Sequence, residues 1–341
     1  MNIYLDAFFK SLFENQFNYN LLTTDNFDYE TEWLESLPDD IDIIALSFYT
    51  NDFDKHKIIA NRLLTKSKNV IINFSEPTSL SLLSNFKDKV SNLYCFSDIV
   101  TNIKTPGIET AISWFIRPNN FYANNSAALN LIQSLKPYTD QRMYKFDCLL
   151  GSEKENRSFV AEQYQNSSFK NQFFFTYYKL NRNQEFYPQW SDHLPFGESF
   201  ILSDQLLPVD IYNNSFYSIV AETTFSNVYN QYTEKVIKPV IAKRPFVAFC
   251  GRHYLKNLKK LGFKTFDKVI DESYDEVNDN ELRWKLAWKQ VELLCEKNPL
   301  RVYNNLRYIL DHNYNHFFDT DWHLGIKETM LNLVQSLKLQ Q

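Results

Sequence analysis

The chain has 341 residues and a formal net charge of −5, and its length suits two domains better than one hydrophobic core. Its 44% hydrophobic and 23% charged residues are typical of a globular protein and argue against disorder. Six glycines are too few for a collagen-like or Gly-rich low-complexity chain. No run approaches about 18 consecutive apolar residues, and Met1–Phe17 lacks a signal-peptide core, so we expect a cytoplasmic protein without a membrane span.

Neither the net charge nor the cysteines point to a particular partner. The acidic balance gives no general indication of nucleic-acid or anionic-membrane binding, although a local basic patch stays open. The cysteines lie far apart, and no pair has the C-x-x-C spacing of a zinc ribbon or a redox centre. The sequence therefore predicts reduced, buried thiols at Cys95, Cys148, Cys250 and Cys295.

The first half of the chain alternates short apolar runs with helical segments. Residues 41–48, 69–74 and 92–97 are short, largely apolar runs bounded by polar turns and are predicted to be strands. Between the first two, residues 55–66 place Ile and Leu at helical spacing. Strand, helix and strand at these lengths predict a parallel sheet with right-handed crossovers.

The pattern restarts after an amphipathic helix at 125–135, which stops before Pro137 and indicates a domain border. Strands are predicted at 145–150, 172–178, 216–221, 245–249 and 265–270, and helices at 158–165, 234–242, 254–261 and from Asn280 onward. The helix at 254–261 is expected to end at Gly262 in a left-handed conformation. We therefore expect an α/β protein with domains at 1–140 and 141–303, followed by helices over 304–341.

The common nucleotide and hydrolase signatures are absent from the sequence. It contains no G-x-G-x-x-G dinucleotide fingerprint and no P-loop. It also contains no G-x-S-x-G elbow and no H-E-x-x-H, which weakens hydrolase interpretations. With so few glycines, contacts to phosphate would come mostly from cationic side chains and helix N-termini.

The segment 216–275 carries the most chemistry. Glu222 follows a predicted strand, and Thr233 is positioned to cap a helix that opens with Glu234 and Lys235. Loops at the carboxyl ends of parallel strands form the ligand crevice of open α/β sheets. A carboxylate there accepts hydrogen bonds from a ribose or sugar diol, and an ammonium at a helix N-terminus neutralises a diphosphate. The alternative is that Glu234 is a solvated first-turn carboxylate and Lys235 a surface lysine.

The motifs Ala-Glu-Thr at 221–223 and Tyr-Thr-Glu-Lys at 232–235 resemble the donor-binding signature of α-1,3-fucosyltransferases. The whole segment resembles the donor half of GT-B glycosyltransferases of the exostosin-like and phage-encoded type. The resemblance covers about residues 145–320 and is strongest over 216–275. It implies two Rossmann-like domains facing across a cleft, with the C-terminal helices packing back on the first domain.

The resemblance also implies roles for individual residues. Glu234 would bind the ribose of a nucleotide-sugar donor, Lys235 its phosphates, and Glu222 the sugar or the nucleotide. Relatives carry a stretch similar to the one that runs from Leu149 to Arg157, which would place this arginine on the phosphates.

Two further cations are candidates for the same phosphates. Lys154 would assist from the loop before the helix, and Lys238 lies one turn after Lys235. Each of these cations has the alternative of a solvated surface side chain.

Candidates for the catalytic base directly follow the predicted strands of the first half. An inverting enzyme of this type needs a carboxylate or His near the acceptor hydroxyl, usually supplied by the N-terminal domain. Asp52 follows the strand at 41–48, and Glu76 follows the strand at 69–74. Either residue could instead cap a turn or a helix, and a retaining mechanism would need no such base.

Two other groups of residues have metal-like spacing. Asp319-Thr-Asp321 matches a D-x-D motif but follows a helical tract and no strand. His312 and His316 lie four residues apart, but the residues between them suggest a fraying helix end. We predict structural roles for both groups, and neither a metal nor a cofactor.

Charged residues near these motifs have structural and functional interpretations. The acidic stretch 271–275 is expected to cap the loop and helix that follow it, and Arg283 could pair with one of its carboxylates. A modest basic stripe, or a solvated helix face, is formed by Lys256, Lys259, Lys260 and Lys264.

The sequence thus predicts a glycosyltransferase that moves a hexosyl or pentosyl group from a UDP- or GDP-linked sugar to a hydroxyl, without an obligatory metal. The acceptor would be a glycan or a hydroxylated DNA base, and a phage-encoded member would act in the cytoplasm of its host. Two alternatives stay open: a catalytically inactive glycosyltransferase-like binding protein, and a metal-dependent hydrolase that uses His312, His316 and Asp319. The sequence does not specify the oligomeric state.

Overall fold

The computed structural model describes residues 1–13, 16–21, 37–48, 66–74, 91–101, 108–136, 138, 142–177, 193–196, 199–202 and 206–339. The chain divides into two compact units. Unit 1 comprises Met1–Ser113 and Asp321–Gln341, and unit 2 comprises Trp114–Thr320. Each unit contains a parallel sheet, so the predicted α/β class is confirmed.

The described elements follow one another in a largely alternating order. The strands are β1 (Ile3–Leu5), β2 (Asn20–Leu21), β3 (Ile43–Phe48), β4 (Asn69–Phe74), β5 (Asn92–Ser97), β6 (Ile99–Thr101), β7 (Ile108–Thr110), β8 (Tyr144–Leu150), β9 (Phe173–Tyr177), β10 (His193–Phe196), β11 (Ser199–Leu202), β12 (Ser215–Val220), β13 (Tyr229–Gln231) and β14 (Phe246–Ala248). The helices are α1 (Ala7–Phe13), α2 (Ser113–Asn124), α3 (Ser126–Gln133), α4 (Glu155–Asn166), α5 (Val209–Asn214), α6 (Glu234–Ile241), α7 (Tyr254–Lys260), α8 (Asn280–Glu296), α9 (Pro299–Asp319) and α10 (Leu324–Lys338). None of the helices described here is long and apolar enough to cross a membrane.

Unit 1 is built on a sheet with the strand order β2-β1-β3-β4-β5-β7, in which every pair is parallel. All six residues of β4 are buried, as expected for a central strand covered on both faces. Asp6 follows β1 and accepts hydrogen bonds from the backbone N–H of Phe9 at 3.0 Å and of Ser47 at 2.5 Å. Burial raises the pKa of Asp6 to about 6. This carboxylate therefore joins the start of α1 to the end of β3.

Unit 2 is built on a parallel sheet with the strand order β14-β12-β8-β9. Asp147 lies on β8 with 2% of its surface exposed, and it accepts hydrogen bonds from Ser215 Oγ at 2.8 Å and Ser218 Oγ at 2.9 Å. Burial raises the pKa of Asp147 to about 6, and Arg244 and the two serines oppose that rise. Aromatic rings fill the face of the sheet towards α8, where Phe146 stacks on Phe173 at 5.3 Å.

Two local predictions are wrong. Residues 265–270 form turns and no strand, because Glu272 binds Thr265 Oγ1 at 2.7 Å and the backbone N–H of Phe266 at 2.6 Å. The residues after His312 do not fray, since α9 continues to Asp319. The predicted helix at 55–66 lies almost wholly outside the described residues.

Candidate functional site

The sheet of unit 2 has a topological switch point between β8 and β12. From β8 the chain adds β9 on one side and then β12 on the other, so the loops that follow β8 and β12 leave in opposite directions. In open parallel sheets, ligands bind at the carboxyl ends of the strands beside such a point. The strand β14 lies next to β12 and is parallel to it, so the loop after β14 begins at the same edge.

Arg157 joins the two sides of the switch point. It lies in the first turn of α4 with 2% of its surface exposed. Its Nε donates to the Ala221 carbonyl after β12 at 3.3 Å, and its Nη1 donates to the Ser152 carbonyl after β8 at 2.8 Å. Burial lowers the pKa of this guanidinium, and two nearby glutamates raise it. Arg157 is therefore a buried positive charge at the carboxyl edge, held by protein acceptors.

Asn156 joins the loop after β14 to the loop after β12, and the sequence analysis did not identify it. Its fully buried Nδ2 donates to the carbonyl oxygens of Glu222 at 3.0 Å and Phe249 at 2.8 Å, which follow β12 and β14. The sequence holds little signal for this role, because an asparagine in a first helical turn is usually a surface residue.

Glu222 is fully buried and bound on both carboxylate oxygens by protein donors. Oε1 accepts from the Thr233 N–H at 3.0 Å and from the Tyr254 hydroxyl at 2.9 Å, and Oε2 accepts from Thr233 Oγ1 at 2.6 Å. Burial raises the pKa of Glu222, and Lys235 and the bonds from Thr233 lower it. The residue thus positions the start of α6 relative to the end of β12. Tyr254 was not predicted as part of this arrangement.

Thr233 is the N-cap of α6, as predicted. Its Oγ1 accepts from the Lys235 N–H at 3.3 Å. The Lys235 ammonium turns back to the same end of the helix, 2.6 Å from Glu234 Oε1 and 3.3 Å from Thr233 Oγ1. Only 22% of the Lys235 side chain and 18% of the Glu234 side chain are exposed. Both side chains are therefore partly buried and paired with each other, which favours a role at the site over a solvated carboxylate and a surface lysine.

Glu234 stays ionised at physiological pH. Burial raises its pKa, but the ammonium groups of Lys235 and Lys238 outweigh burial and lower it to about 2. Lys238 is half-buried on the next turn of α6. We call Arg157, Glu222, Glu234, Lys235 and Lys238 the edge cluster. Three cations and two carboxylates leave the edge cluster with a net positive charge.

The remaining predicted site residues lie elsewhere. Lys154 is exposed at the N-cap of α4, and within the described part of the chain no hydrogen bond or ion pair joins its side chain to the edge cluster. Asp52 and Glu76, the predicted catalytic bases, lie outside the described residues.

The histidines with metal-like spacing instead donate hydrogen bonds to the carbonyls that follow α7. His316 Nε2 donates to the Leu261 carbonyl at 2.7 Å, and His312 Nε2 donates to the Gly262 carbonyl at 3.0 Å. Asp321 lies beyond α9 and pairs with His323 at 3.1 Å. Among the residues that the structure describes, no group of His, Cys, Asp and Glu could hold a metal ion. The interpretation as a hydrolase with a metal on these histidines is therefore wrong.

The basic stripe is largely paired within unit 2. Lys256 lies 3.2 Å from Glu276, and Lys259 lies 3.2 Å from Glu272 and 3.3 Å from Asp267. These contacts lower the charge that the stripe offers to a polyanion.

The acidic stretch 271–275 caps the turn that follows it, as predicted, but it also caps α7, which precedes it, and does not cap α8. Asp271 caps the short helical turn that follows it, and Asp275 accepts from the N–H of Leu255 at 3.0 Å at the start of α7. The sequence left open that Arg283 pairs with one of these carboxylates. This side chain instead donates to the carbonyls of Cys250 at 3.0 Å and Val277 at 2.6 Å.

Comparison with known proteins yields one structural likeness. No family model matches the sequence, and no curated protein matches it. The chain is similar to the crystal structure of an α1,3-fucosyltransferase with a TM-score of 0.42 and 9% sequence identity, over 94% of this chain and 90% of that one. A likeness of this size establishes no relationship, so the function proposed below rests on the geometry of the edge cluster. The exostosin-like and phage-encoded assignments stay predictions.

Proposed function

We propose that the chain is a glycosyltransferase that binds a nucleotide-diphosphate sugar at the edge cluster of unit 2. One observation supports the proposal above all others: Arg157, Lys235 and Lys238 lie together at the carboxyl edge beside a topological switch point. Arg157 is almost fully buried, and Lys235 is mostly buried. Buried cations in excess of carboxylates favour an anionic ligand, because an anion restores the charge balance. A diphosphate at a helix N-terminus meets this need.

Binding would exchange the Lys235–Glu234 ion pair for contacts with the ligand. The ammonium and the carboxylate are 2.6 Å apart and both are partly exposed, so each is within reach of a ligand at the start of α6. Lys235 would then bind a phosphate oxygen. Glu234, which stays ionised, would accept hydrogen bonds from the ribose hydroxyls.

Arg157, Glu222 and Thr233 would position the site rather than contact the ligand. The Arg157 guanidinium and the Glu222 carboxylate are occupied by protein groups, so they fix the loops and the helix that present Lys235. The buried charge of Arg157 adds to the positive potential at the same edge. Lys238 would contribute in the same way.

The reaction proposed is transfer of the sugar to an acceptor hydroxyl. The hydroxyl oxygen forms a bond to the anomeric carbon while the bond from that carbon to the diphosphate breaks, and the hydroxyl proton passes to a base. The N-terminus of α6 and Lys235 would stabilise the departing diphosphate, and no metal is required for this step. Asp52 and Glu76 stay the predicted bases if the transfer inverts configuration.

The donor is proposed to be UDP- or GDP-linked, and the acceptor a glycan. Pairing of the basic stripe with Glu276, Glu272 and Asp267 favours a glycan over hydroxylated DNA.

Thermal unfolding with UDP, GDP, CDP, ADP and dTDP, each with and without EDTA, tests donor binding. A ligand at one hundred times its Kd stabilises the folded state by about 2.7 kcal/mol. For a cooperative unit of the size of unit 2, at about 2.1 cal/mol/K per residue, this raises Tm by about 6 °C. We expect one nucleotide to give a shift that EDTA does not change and that Lys235→Met abolishes. Lys285→Met, at an exposed ion pair on α8, is the matched control and should keep the shift.

Release of the nucleoside diphosphate from its sugar, in the presence of a glycan mixture, tests transfer. Binding without release would identify the inactive binding protein. The proposed function would be contradicted if none of the nucleotides raised Tm, or if the rise in Tm required a metal ion.

A further inference from the structure

The Glu222 carboxylate lies between the starts of helices α6 and α7 and accepts hydrogen bonds from both. Tyr254, the first residue of α7, donates from its hydroxyl to Oε1 at 2.9 Å. Thr233, the N-cap of α6, donates from its N–H to Oε1 at 3.0 Å and from its hydroxyl to Oε2 at 2.6 Å. All three residues are at most 2% exposed, so water does not compete for these bonds. Glu222 therefore links α7 to the helix that carries Lys235.

The hydrogen bonds around the Thr233 hydroxyl show which form Glu222 takes. Thr233 Oγ1 accepts from the Lys235 N–H and from the Lys235 ammonium, each at 3.3 Å, and neither group can accept in return. The single hydroxyl hydrogen is therefore directed to Glu222, its short contact, although the same hydroxyl also lowers the pKa of Glu234. Glu222 thus receives three donors and has no acceptor for a proton of its own, so it is ionised.

The Tyr254 hydroxyl helps to keep this buried carboxylate ionised. Burial raises the pKa of Glu222, and a hydrogen bond to the charged form opposes that rise. Burial also raises the pKa of Tyr254 well above its ordinary value, so the hydroxyl keeps its proton and donates it. The other ionisable groups that face Glu222 come from α4, α6 and the adjoining loops: Arg157, Glu234, Lys235, Tyr232 and Cys250.

Protonation of Glu222 would disturb the placement of Lys235. A neutral Glu222 has a proton to donate, and Thr233 Oγ1 lies 2.6 Å from its Oε2. A hydroxyl oxygen has two acceptor sites, and both are used by Lys235. One of the Lys235 bonds would therefore break, either the cap of α6 or the bond that holds the ammonium at the helix start.

We propose that Tyr254 is a positioning residue for the diphosphate: its hydroxyl keeps Glu222 ionised, Glu222 orients the Thr233 hydroxyl, and that hydroxyl holds Lys235 at the start of α6. The proposal rests on the proposed function and adds to it a residue of α7 that does not contact the ligand. Helix α7 thereby contributes to phosphate affinity without supplying a cation to the edge cluster.

Calorimetric titration with UDP, GDP, CDP, ADP and dTDP at pH 8 and pH 6 tests this role. Tyr254→Phe removes the hydroxyl and keeps the buried ring. Tyr217→Phe, on β12, is the matched control, because the Tyr217 hydroxyl is buried and makes no hydrogen bond within the described part of the chain. A terminal phosphate titrates at about pH 6 as well. It does so alike for every variant, so each affinity is compared with that of wild type at the same pH.

For the nucleotide that wild type binds most tightly, we expect Tyr254→Phe to bind about threefold more weakly at pH 8 and about tenfold or more at pH 6. The loss grows because a carboxylate with one donor fewer takes up a proton at higher pH. Tyr217→Phe should stay within about twofold at both pH values.

Glu222→Gln is the second variant, and it does not depend on whether Tyr254→Phe folds. It removes the charge that Tyr254 maintains, so it should weaken binding about tenfold already at pH 8. Combined with Glu222→Gln, Tyr254→Phe should cause no further loss, because the hydroxyl acts through the carboxylate.

Four results would overturn the inference while the proposed function stands. They are unchanged affinity in Tyr254→Phe, a loss of equal size at both pH values, an equal loss in Tyr217→Phe, and wild-type affinity in Glu222→Gln. If the wild-type chain binds none of the nucleotides, the proposed function fails and the inference fails with it.

Discussion

Lys235→Met removes the ammonium of the edge cluster and keeps most of the side-chain stem. In the folded chain the pKa of Glu234 falls from 4.5 to about 2, which corresponds to about 3 kcal/mol at about 1.4 kcal/mol per unit. Burial opposes this change, and Lys235 and Lys238 together produce it. Because Lys235 also makes the 2.6 Å hydrogen bond, we expect its loss to lower the free energy of unfolding by about 1.5–3 kcal/mol at pH 7.

The pH dependence of this loss is the sharper test. A carboxylate whose pKa is lower in the folded state contributes stability above its unfolded pKa of 4.5, and this contribution disappears as the pH falls through about 2. The difference between wild type and Lys235→Met should therefore be full at pH 7 and should shrink from about pH 4.5 towards pH 2. Urea denaturation at pH 7, 4 and 2.5 measures it.

Lys285→Met is the matched control for this experiment. Lys285 pairs with Glu281 at 2.6 Å, but more than half of each side chain is exposed, so solvent screens the pair. Its removal should change stability far less at every pH. If Lys235→Met is as stable as wild type at pH 7, Lys235 is a solvated lysine and the reasoning is refuted. An equal loss at pH 7 and 2.5 would attribute the effect to packing rather than to charge.

Three further substitutions test the structure around the site. Asp147→Asn should stabilise the chain at pH 7 by up to about 3 kcal/mol and have little effect at pH 4. The pKa of Asp147 is raised from 3.8 to about 6 in the folded chain, so ionisation of Asp147 destabilises the fold as the pH rises through about 6. Urea denaturation at both pH values measures the difference. Gly251→Ala should lower Tm, because its Cβ would lie 2.0 Å from the Ser226 carbonyl oxygen, whereas Gly151→Ala meets only an ordinary contact at 3.5 Å and should be neutral. Asn156→Asp should cost about 3–5 kcal/mol in urea denaturation, since it turns a buried carboxylate towards two carbonyl oxygens; a change below about 1 kcal/mol would show that the three loops do not depend on this amide.

The strands β3, β4 and β5 of unit 1 and the strands of the unit 2 sheet were predictable because they are short, largely apolar runs, whereas β1, β2 and β7, with two or three residues each, were not predicted. The runs at 69–74 and 92–97 match β4 and β5 residue for residue, and 145–150 falls within β8. Strands that are buried on both faces of a parallel sheet are nearly continuous apolar runs, and their short length and their β-branched or aromatic residues favour a strand over a helix. Gly262 was predictable for a local reason too, since its φ of +95° requires a residue without a side chain.

The prediction of a strand at 265–270 was wrong because a side chain just beyond this segment takes its hydrogen-bond donors. Phe266 and Ile270 are buried as a strand would require, at 1% and 2% exposure. However, Glu272 takes the donors of Thr265 and Phe266, and the N–H of Ile270 bonds to the Phe266 carbonyl in a helical turn. Apolar spacing cannot report a carboxylate that returns from later in the chain.

The five residues of the edge cluster were predicted from the sequence, but Asn156, Tyr254 and the contacts that each residue makes were not. The cap by Thr233 follows from local sequence, and the structure confirms it. The burial of Arg157 depends on a contact with a loop 64 residues later in the chain. The burial of Glu222 depends on contacts with residues 11 and 32 positions later. Such contacts are set by strand order, which no local pattern encodes.

Helix α7 illustrates a consequence of this long-range bonding for the order of folding. Its seven residues are too few for an isolated helix to persist in water. Asp275 bonds to its first N–H groups, and His312 and His316 bond to the carbonyls that follow its last turn. The bonds at the C-terminal end of α7 can therefore form only after the chain has been made as far as His316. Tyr254 reaches Glu222 from this helix, so the carboxyl edge of unit 2 is completed by contacts with residues made late in synthesis.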